Sequence, residues 1–215
     1  MALDLRPSPI AGVWYEGDPA ALAASVDQYL DRAVLPDLPG EVMGVIAPHA
    51  GHIYSGPVAG HAFAALRGRS PELVVVLSPY HNYHSSPLLV TSHEAYETPL
   101  GVVPVDHGAV QTLNTALQST AGMGLMPIAH DREHSLEIEL PFLQRALKSA
   151  FQLLPVMVRT QEPGTAMELG KALAESLKGR DFILVASTDL SHFYDQRTAG
   201  ILDAEMLHQI ESFSP

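Results

Sequence analysis

Short, almost purely apolar segments recur along the chain and alternate with helical patterns. The four strongest are residues 42–47, 73–77, 153–158 and 182–186. Each has the length of a strand and is rich in Val, Ile and Leu, which is typical of parallel strands that are covered on both faces. Helical periodicity fills the intervals, over about residues 19–34, 58–66, 107–117, 139–150 and 165–177. This alternation predicts an α/β/α sandwich with a mostly parallel central sheet.

The remaining segments give weaker patterns. Residues 88–91 and 101–105 predict two extra strands, arranged as an antiparallel, hairpin-like excursion. Residues 1–20 look irregular because prolines and glycines are frequent there, and residues 196–213 predict a helix that carries Ile201, Met206 and Ile210. Since no internal repeat and no linker interrupts the chain, we expect residues 1–215 to form a single domain.

Composition and charge exclude several classes of protein. The 215 residues include 12 Lys and Arg against 24 Asp and Glu, a net charge of −12, which argues against nucleic-acid binding. The chain has no cysteine, and this excludes disulfides, thiolate metal ligands and a cysteine nucleophile. The first residues combine charges with prolines, and no apolar run approaches the roughly 20 residues that span a bilayer. We therefore expect a cytoplasmic protein without a membrane segment.

Histidines follow three of the predicted strands at the point where each strand ends. His49 follows the first strand, His81 follows the second, and His192 comes a few residues after the last. The carboxyl ends of parallel strands meet at one edge of the sheet, where open α/β folds keep their sites. We therefore expect these three side chains to converge.

Imidazoles gathered in this way suit a divalent transition metal. Neutral histidines bind Fe, Cu and Zn, and two histidines with one carboxylate form the facial triad of non-haem iron enzymes. His49 and His81 are the first candidates for metal ligands. Asp189 is a candidate carboxylate ligand of the metal. Alternatively, it is an outer partner that orients an imidazole, or it only caps a helix or a loop through a hydrogen bond. His192 is a candidate general acid or base near neutral pH.

A second polar cluster spans residues 131–139 and contains His134 and Glu137. Because these two residues are three apart, a helical turn places them on one face, where they could act as base and orienting carboxylate or as outer support. The alternative is an ordinary polar helix start, with glutamates near the positive end of the helix dipole, and spacing alone favours it.

Several of these segments together resemble the MEMO-like family, the B component of the AmmeMemoRadiSam system. The matching segments, quoted in chain order, are APHAG at 47–51 with YSG at 54–56, SPYH at 78–81, TPLG at 98–101, HSLE at 134–137 with LPFL at 140–143, and STDLSH at 187–192. That family is similar in fold to the class III, LigB-type extradiol dioxygenases, which use non-haem iron.

The resemblance implies more than the spacing does. It implies metal ligation by His49 and His81, with Fe(II) or Cu favoured over Zn, and it places Asp189, His192, His134 and Glu137 at catalytic positions of the same pocket. It also implies AMMECR-domain and radical SAM proteins as partners, beside a small-molecule or peptide ligand. Family members continue beyond this length, and some draw a cysteine ligand from that later region. We therefore expect this chain to lack the family's C-terminal portion.

Three functions stay open at this point. The first is a metal-dependent redox enzyme of the dioxygenase type, and the second is a peptide- or ligand-binding scaffold with a vestigial metal site. The third is a hydrolase in which the metal activates water. The chain contains no HExxH, GxSxG, Walker or GxGxxG motif, so zinc proteases, serine hydrolases, P-loop enzymes and dinucleotide-binding proteins lose support.

Overall fold

The structure is a computed structural model that describes residues 3–212, and this range contains six α-helices and nine strands. The helices are α1 (Pro19–Arg32), α2 (His52–Ala64), α3 (His107–Ala121), α4 (Leu140–Ala146), α5 (Pro163–Ser176) and α6 (Gln196–Ser212). The strands are β1 (Leu5–Arg6), β2 (Gly44–Ala47), β3 (Leu73–Pro79), β4 (Leu88–Thr91), β5 (Ala95–Thr98), β6 (Gly101–Pro104), β7 (Met126–Ile128), β8 (Gln152–Val158) and β9 (Phe182–Ser187).

Six strands form the main sheet, in the order β2-β9-β3-β8-β4-β7. The first four are parallel to one another, whereas β4 is antiparallel to β8 and pairs in parallel with β7. The predicted mostly parallel sheet is therefore confirmed. The neighbouring strands β2, β9, β3 and β8 all end at the same edge, so the loops that follow them start side by side.

Helices cover both faces of this sheet, as the alternation along β3 shows. Val74 and Val76 pack into one core with residues of α1, α2 and α4, while Leu73 and Val75 pack into a second core with residues of α3 and α5. All four of these side chains are fully buried. Successive residues of a strand point to opposite faces, so a continuous apolar run fits the middle layer of the α/β/α sandwich.

The structure corrects three expectations about individual elements. The hairpin-like pairing of 88–91 with 101–105 is wrong, because β4 lies in the main sheet while β6 pairs with β5. Residues 5–6 are not irregular but add to β5 as a third strand, β1. β2 is not covered on both faces, because it is an edge strand and 46% of the Ile46 side chain is exposed.

The predicted C-terminal helix is present as α6, but none of its residues is buried. Ile201 is 64% exposed and Met206 is 53% exposed, so the expected apolar face has no cover among residues 3–212. The last residue of the predicted helix, Phe213, lies outside the described residues. Within the described range, no helix combines the length and the apolar character that crossing a membrane requires.

Candidate metal centre

The shared edge of the parallel strands brings distant residues together. His49 lies two residues after β2, Asp189 two residues after β9, and His81 two residues after β3. His134 arrives by a different route, on the loop between β7 and the 3-10 turn Glu137–Glu139. Ser135 fixes this loop at the edge, because its hydroxyl donates to the carbonyl of Pro79, the last residue of β3, at 2.6 Å.

Three imidazoles meet at this edge in an arrangement that could hold a metal ion. One ring nitrogen from each of His49, His81 and His134 lies within 4.8 Å of the other two. The ring centroids are 4.7 Å apart for His81 and His134, 5.4 Å for His49 and His81, and 5.7 Å for His49 and His134. His49 is buried, whereas 47% of the His81 side chain is exposed, so the cluster opens to solvent on the His81 side.

Hydrogen bonds orient these rings and fix which nitrogen is free. The Ser187 hydroxyl donates to the carbonyl of Ser135 at 2.6 Å, so it accepts from Nδ1 of His49 at 3.0 Å. Nδ1 of His81 donates to the Glu133 carboxylate at 2.9 Å, and Nδ1 of His134 faces the same oxygen at 3.3 Å. A protonated Nδ1 leaves Nε2 with a lone pair, which is the form that binds metals.

Glu133 is the residue that joins two of these histidines. Its buried carboxylate accepts the backbone N–H groups of His81, His134 and Ser135 at 2.6–3.0 Å, in addition to Nδ1 of His81. Burial alone would raise the pKa of this carboxyl, but the hydrogen bonds from His81 and Ser135 outweigh it and hold the pKa to about 2. Glu133 is therefore ionised at neutral pH and places a negative charge beside the cluster.

Two of the three imidazoles, those of His49 and His134, are held in the neutral form. Burial lowers the pKa of His49 to about 4, with a further lowering by the neighbouring His134 and His81 that the charge of Asp189 opposes. Burial also lowers the pKa of His134. Protons therefore do not compete with a cation for these nitrogens near pH 7.

Asp189 and His192 lie on one side of the cluster. Asp189 accepts the backbone N–H of His49 at 2.7 Å, and its other carboxylate oxygen is 3.8 Å from Nε2 of His49. His192 is three residues further on, with Nε2 3.4 Å from Asp189 and 53% of its side chain exposed. The structure thus brings Asp189 next to the triad, while His192 contacts Asp189 from the solvent side.

Glu137, in contrast, points away from the histidines. It is fully buried and pairs with Arg6 at 2.6 Å, while Tyr15 and Ser8 donate hydrogen bonds to its other oxygen. His134 comes just before the turn that leads into the 3-10 residues Glu137–Glu139, but within the described residues Glu137 bonds to other side chains and not to His134. A catalytic role for Glu137 stays a prediction.

Sequence reasoning missed three residues of the site. Glu133 lies in the polar segment 131–139 and Ser187 begins the segment 187–192, but the sequence does not indicate which polar side chain faces which imidazole. Trp14, the sole tryptophan, packs on the His134 ring with the centroids 4.1 Å apart. The N-terminal segment that carries it has no periodicity that would place it at the sheet edge.

Comparison with known proteins agrees with this architecture. The sequence model of the family described as "Memo-like protein" matches residues 6–215. The chain is 37% identical to a MEMO1 family protein of Thermotoga neapolitana, over 96% of this chain and 77% of that protein. It is 34% identical to one of Methanothermobacter thermautotrophicus (96% and 76%), and 30% identical to one of Nitrosopumilus maritimus (96% and 75%).

Proposed function

The chain belongs to the Memo-like family, and from this premise we propose that it is a metal-dependent redox enzyme whose divalent ion is held by His49, His81 and His134. The observation that carries the proposal is the convergence of three ring nitrogens within 4.8 Å of one another. Fe(II) or Cu is the proposed ion.

The residues at the site fit such an ion in donor type and in charge. Neutral imidazoles are good ligands for Fe(II), Cu and Zn, and outer partners that hold the opposite ring nitrogen raise the basicity of the ligand. Ser187 plays this part for His49, and Glu133 plays it for His81. Two carboxylates nearby, Glu133 and Asp189, offset the charge of a divalent cation. A redox ion of this kind supplies electron transfer between a substrate and O₂.

In this proposal Asp189 and His192 handle protons beside the ion. The exposed His192 would accept the proton of a substrate hydroxyl, and its Nδ1 donates to the Leu190 carbonyl at 2.8 Å. This hydrogen bond leaves Nε2 of His192 as the base, 3.4 Å from Asp189. Asp189 then stabilises the imidazolium that forms when His192 accepts a proton.

A hydrolase is the second candidate, and one observation favours it. Three neutral histidines are also the ligand set of zinc sites that activate water. The Asp189 carboxylate is 3.8 Å from Nε2 of His49, so it could accept a hydrogen bond from a water molecule beside the ion.

Metal content and turnover of the purified protein separate these functions. We expect loading with Fe(II) under anaerobic conditions, or with Cu(II), to give one bound ion per chain and O₂ uptake with catechols. His49→Ala, His81→Ala and His134→Ala should each lose the ion, whereas His208→Ala, an exposed histidine on α6, should keep it. Zinc with hydrolytic turnover would favour the hydrolase. Full metal retention in the three alanine variants would overturn both proposals.

A further inference from the structure

A cleft of about 510 Å³ opens beside the metal centre and is not used by the proposed proton chemistry. It lies over the carboxyl ends of β3, β8 and β9, and its lining includes His81, Ser187, Ser78, Arg159 and Thr160. The cleft thus reaches one ring of the triad and the hydroxyl that orients another. A volume of this size accepts a small molecule. A comparable groove between α3 and α5 contains neither a histidine nor a cation.

Arg159 gives this cleft a positive charge, and no carboxylate of residues 3–212 forms an ion pair with it. The side chain follows β8, is half-buried, and forms no salt bridge or side-chain hydrogen bond with residues 3–212. Its Nε atom is fully buried and has no partner there. Other partly buried arginines are paired, as Arg69 is with Glu41 and Arg180 with Asp106. An unpaired, half-buried guanidinium is unexpected in a chain with a net charge of −12.

Ser78 adds a second unsatisfied group to the same lining. It is 2% exposed, and its Oγ has no hydrogen-bond partner among the described residues. A buried hydroxyl without a partner costs free energy, so a group of this kind in a cleft is a candidate to bond a water molecule, an ion or a ligand. The guanidinium and this hydroxyl are both donors, which is the complement of an acceptor-only group.

We propose that the cleft binds a small molecule that carries an anionic group, a carboxylate or a phosphate, which pairs with Arg159 and accepts from Ser78. Guanidinium matches both anions in geometry and can bond them through two parallel N–H groups. The rest of the molecule then lies toward His81. This inference rests on the proposed function in that it names the class of substrate held beside the metal.

Calorimetric titration with benzoate, its uncharged analogue benzamide, and inorganic phosphate tests the proposal. Each titration is done on chelator-treated protein and on protein loaded with Fe(II). We expect one of the two anions to bind in both states and benzamide to bind at least about 10-fold more weakly than benzoate. Arg159→Gln should weaken anion binding by about 10-fold or more, and Arg159→Lys, which keeps the charge, should weaken it less. Arg197→Gln removes an exposed arginine on α6 and should bind as the wild type does.

The outcomes separate this inference from the function on which it rests. Benzoate binding that depends on Arg159 supports a carboxylate ligand, and phosphate binding that depends on Arg159 supports a phosphate ligand. Anion binding that occurs only in the loaded protein and is unchanged in Arg159→Gln would overturn the inference but leave the metal site standing. Arg159-dependent binding in a protein that takes up no metal would support the anion site and overturn the metal function. Absence of anion binding in both states would overturn the inference.

Discussion

Replacing Glu133 with glutamine tests whether a single carboxylate organises the metal centre. One carboxylate oxygen, Oε2, accepts the backbone N–H of His81 at 2.6 Å, while the other, Oε1, accepts Nδ1 of His81 and the backbone N–H groups of His134 and Ser135. Glutamine is almost the same size but offers one acceptor oxygen and one NH₂ group. Whichever way it turns, at least one donor that Glu133 now satisfies will face another donor.

The expected losses of stability and of metal affinity in Glu133→Gln follow from these contacts. The variant loses one charge-assisted hydrogen bond outright and weakens the others, so we expect the free energy of unfolding to fall by about 2–3 kcal/mol. His81 loses its ionised partner, and changes to outer partners of metal-bound histidines typically weaken metal affinity by about 10–100-fold. That range corresponds to about 1.4–2.8 kcal/mol of binding free energy.

Two measurements on the same samples check this prediction: urea unfolding of the chelated protein, and the Kd for Fe(II) by competition with a chromophoric chelator. Glu97→Gln is the matched control, because Glu97 is exposed on β5 and its side chain forms no hydrogen bond with residues 3–212. The reasoning would be refuted if the folded Glu133→Gln protein bound metal within about 2-fold of the control.

Three further predictions concern other parts of the molecule. His192→Ala should lose turnover but keep its metal, measured as metal content and O₂ uptake; loss of the ion would make His192 a ligand. The carboxyl of Glu139 is buried without a hydrogen bond in the described range, and burial raises its pKa well above the usual value. The folded state therefore holds this proton to higher pH than the unfolded state, so the contribution of Glu139 to stability falls as the pH rises above the ordinary carboxyl range. Glu139→Gln should remove this contribution, so the free energy of unfolding of the variant should fall less with rising pH than that of the wild type in urea titrations. Equal slopes of the free energy of unfolding against pH in the wild type and the variant would contradict this prediction. Gly60→Ala would place a Cβ 2.6 Å from the Tyr29 carbonyl oxygen and should lower the free energy of unfolding by about 1–3 kcal/mol. Gly170→Ala on α5 adds a Cβ that meets nothing within 4 Å, so this variant should have a higher melting temperature than the wild type.

The sequence could predict the layers of the fold and two of the three histidines of the metal cluster, for a physical reason. A strand covered on both faces must be mostly apolar, so β3 and β8 are visible in the sequence as runs dominated by Val and Leu. Residues that follow such strands in a parallel sheet must share an edge, which placed His49 and His81 together. No such pattern predicts β1, because a strand of two residues is too short to show a hydrophobic periodicity.

The third imidazole and its carboxylate could not be predicted from spacing. His134 reaches the edge on a loop that leaves β7, the strand furthest from β2 in the sheet. The position of that loop depends on tertiary hydrogen bonds, such as the one from Ser135 to the carbonyl of Pro79. Similarly, the apolar run that contains β2 gives no sign that this strand lies at an edge, because the number of neighbours is a property of the whole sheet.

Helix α6 has a consequence for the temperature at which the protein works. Within residues 3–212 no residue of this helix is buried, so among the described elements we expect it to unfold locally before the sheet does. Yet Asp203 on this helix accepts the backbone N–H of Ser191 at 2.9 Å, next to His192. Fraying of α6 would therefore loosen the loop that carries His192 while the three imidazoles stay in place. Under the proposed function, turnover should then fade on warming before the ion is released and before the global melting transition begins.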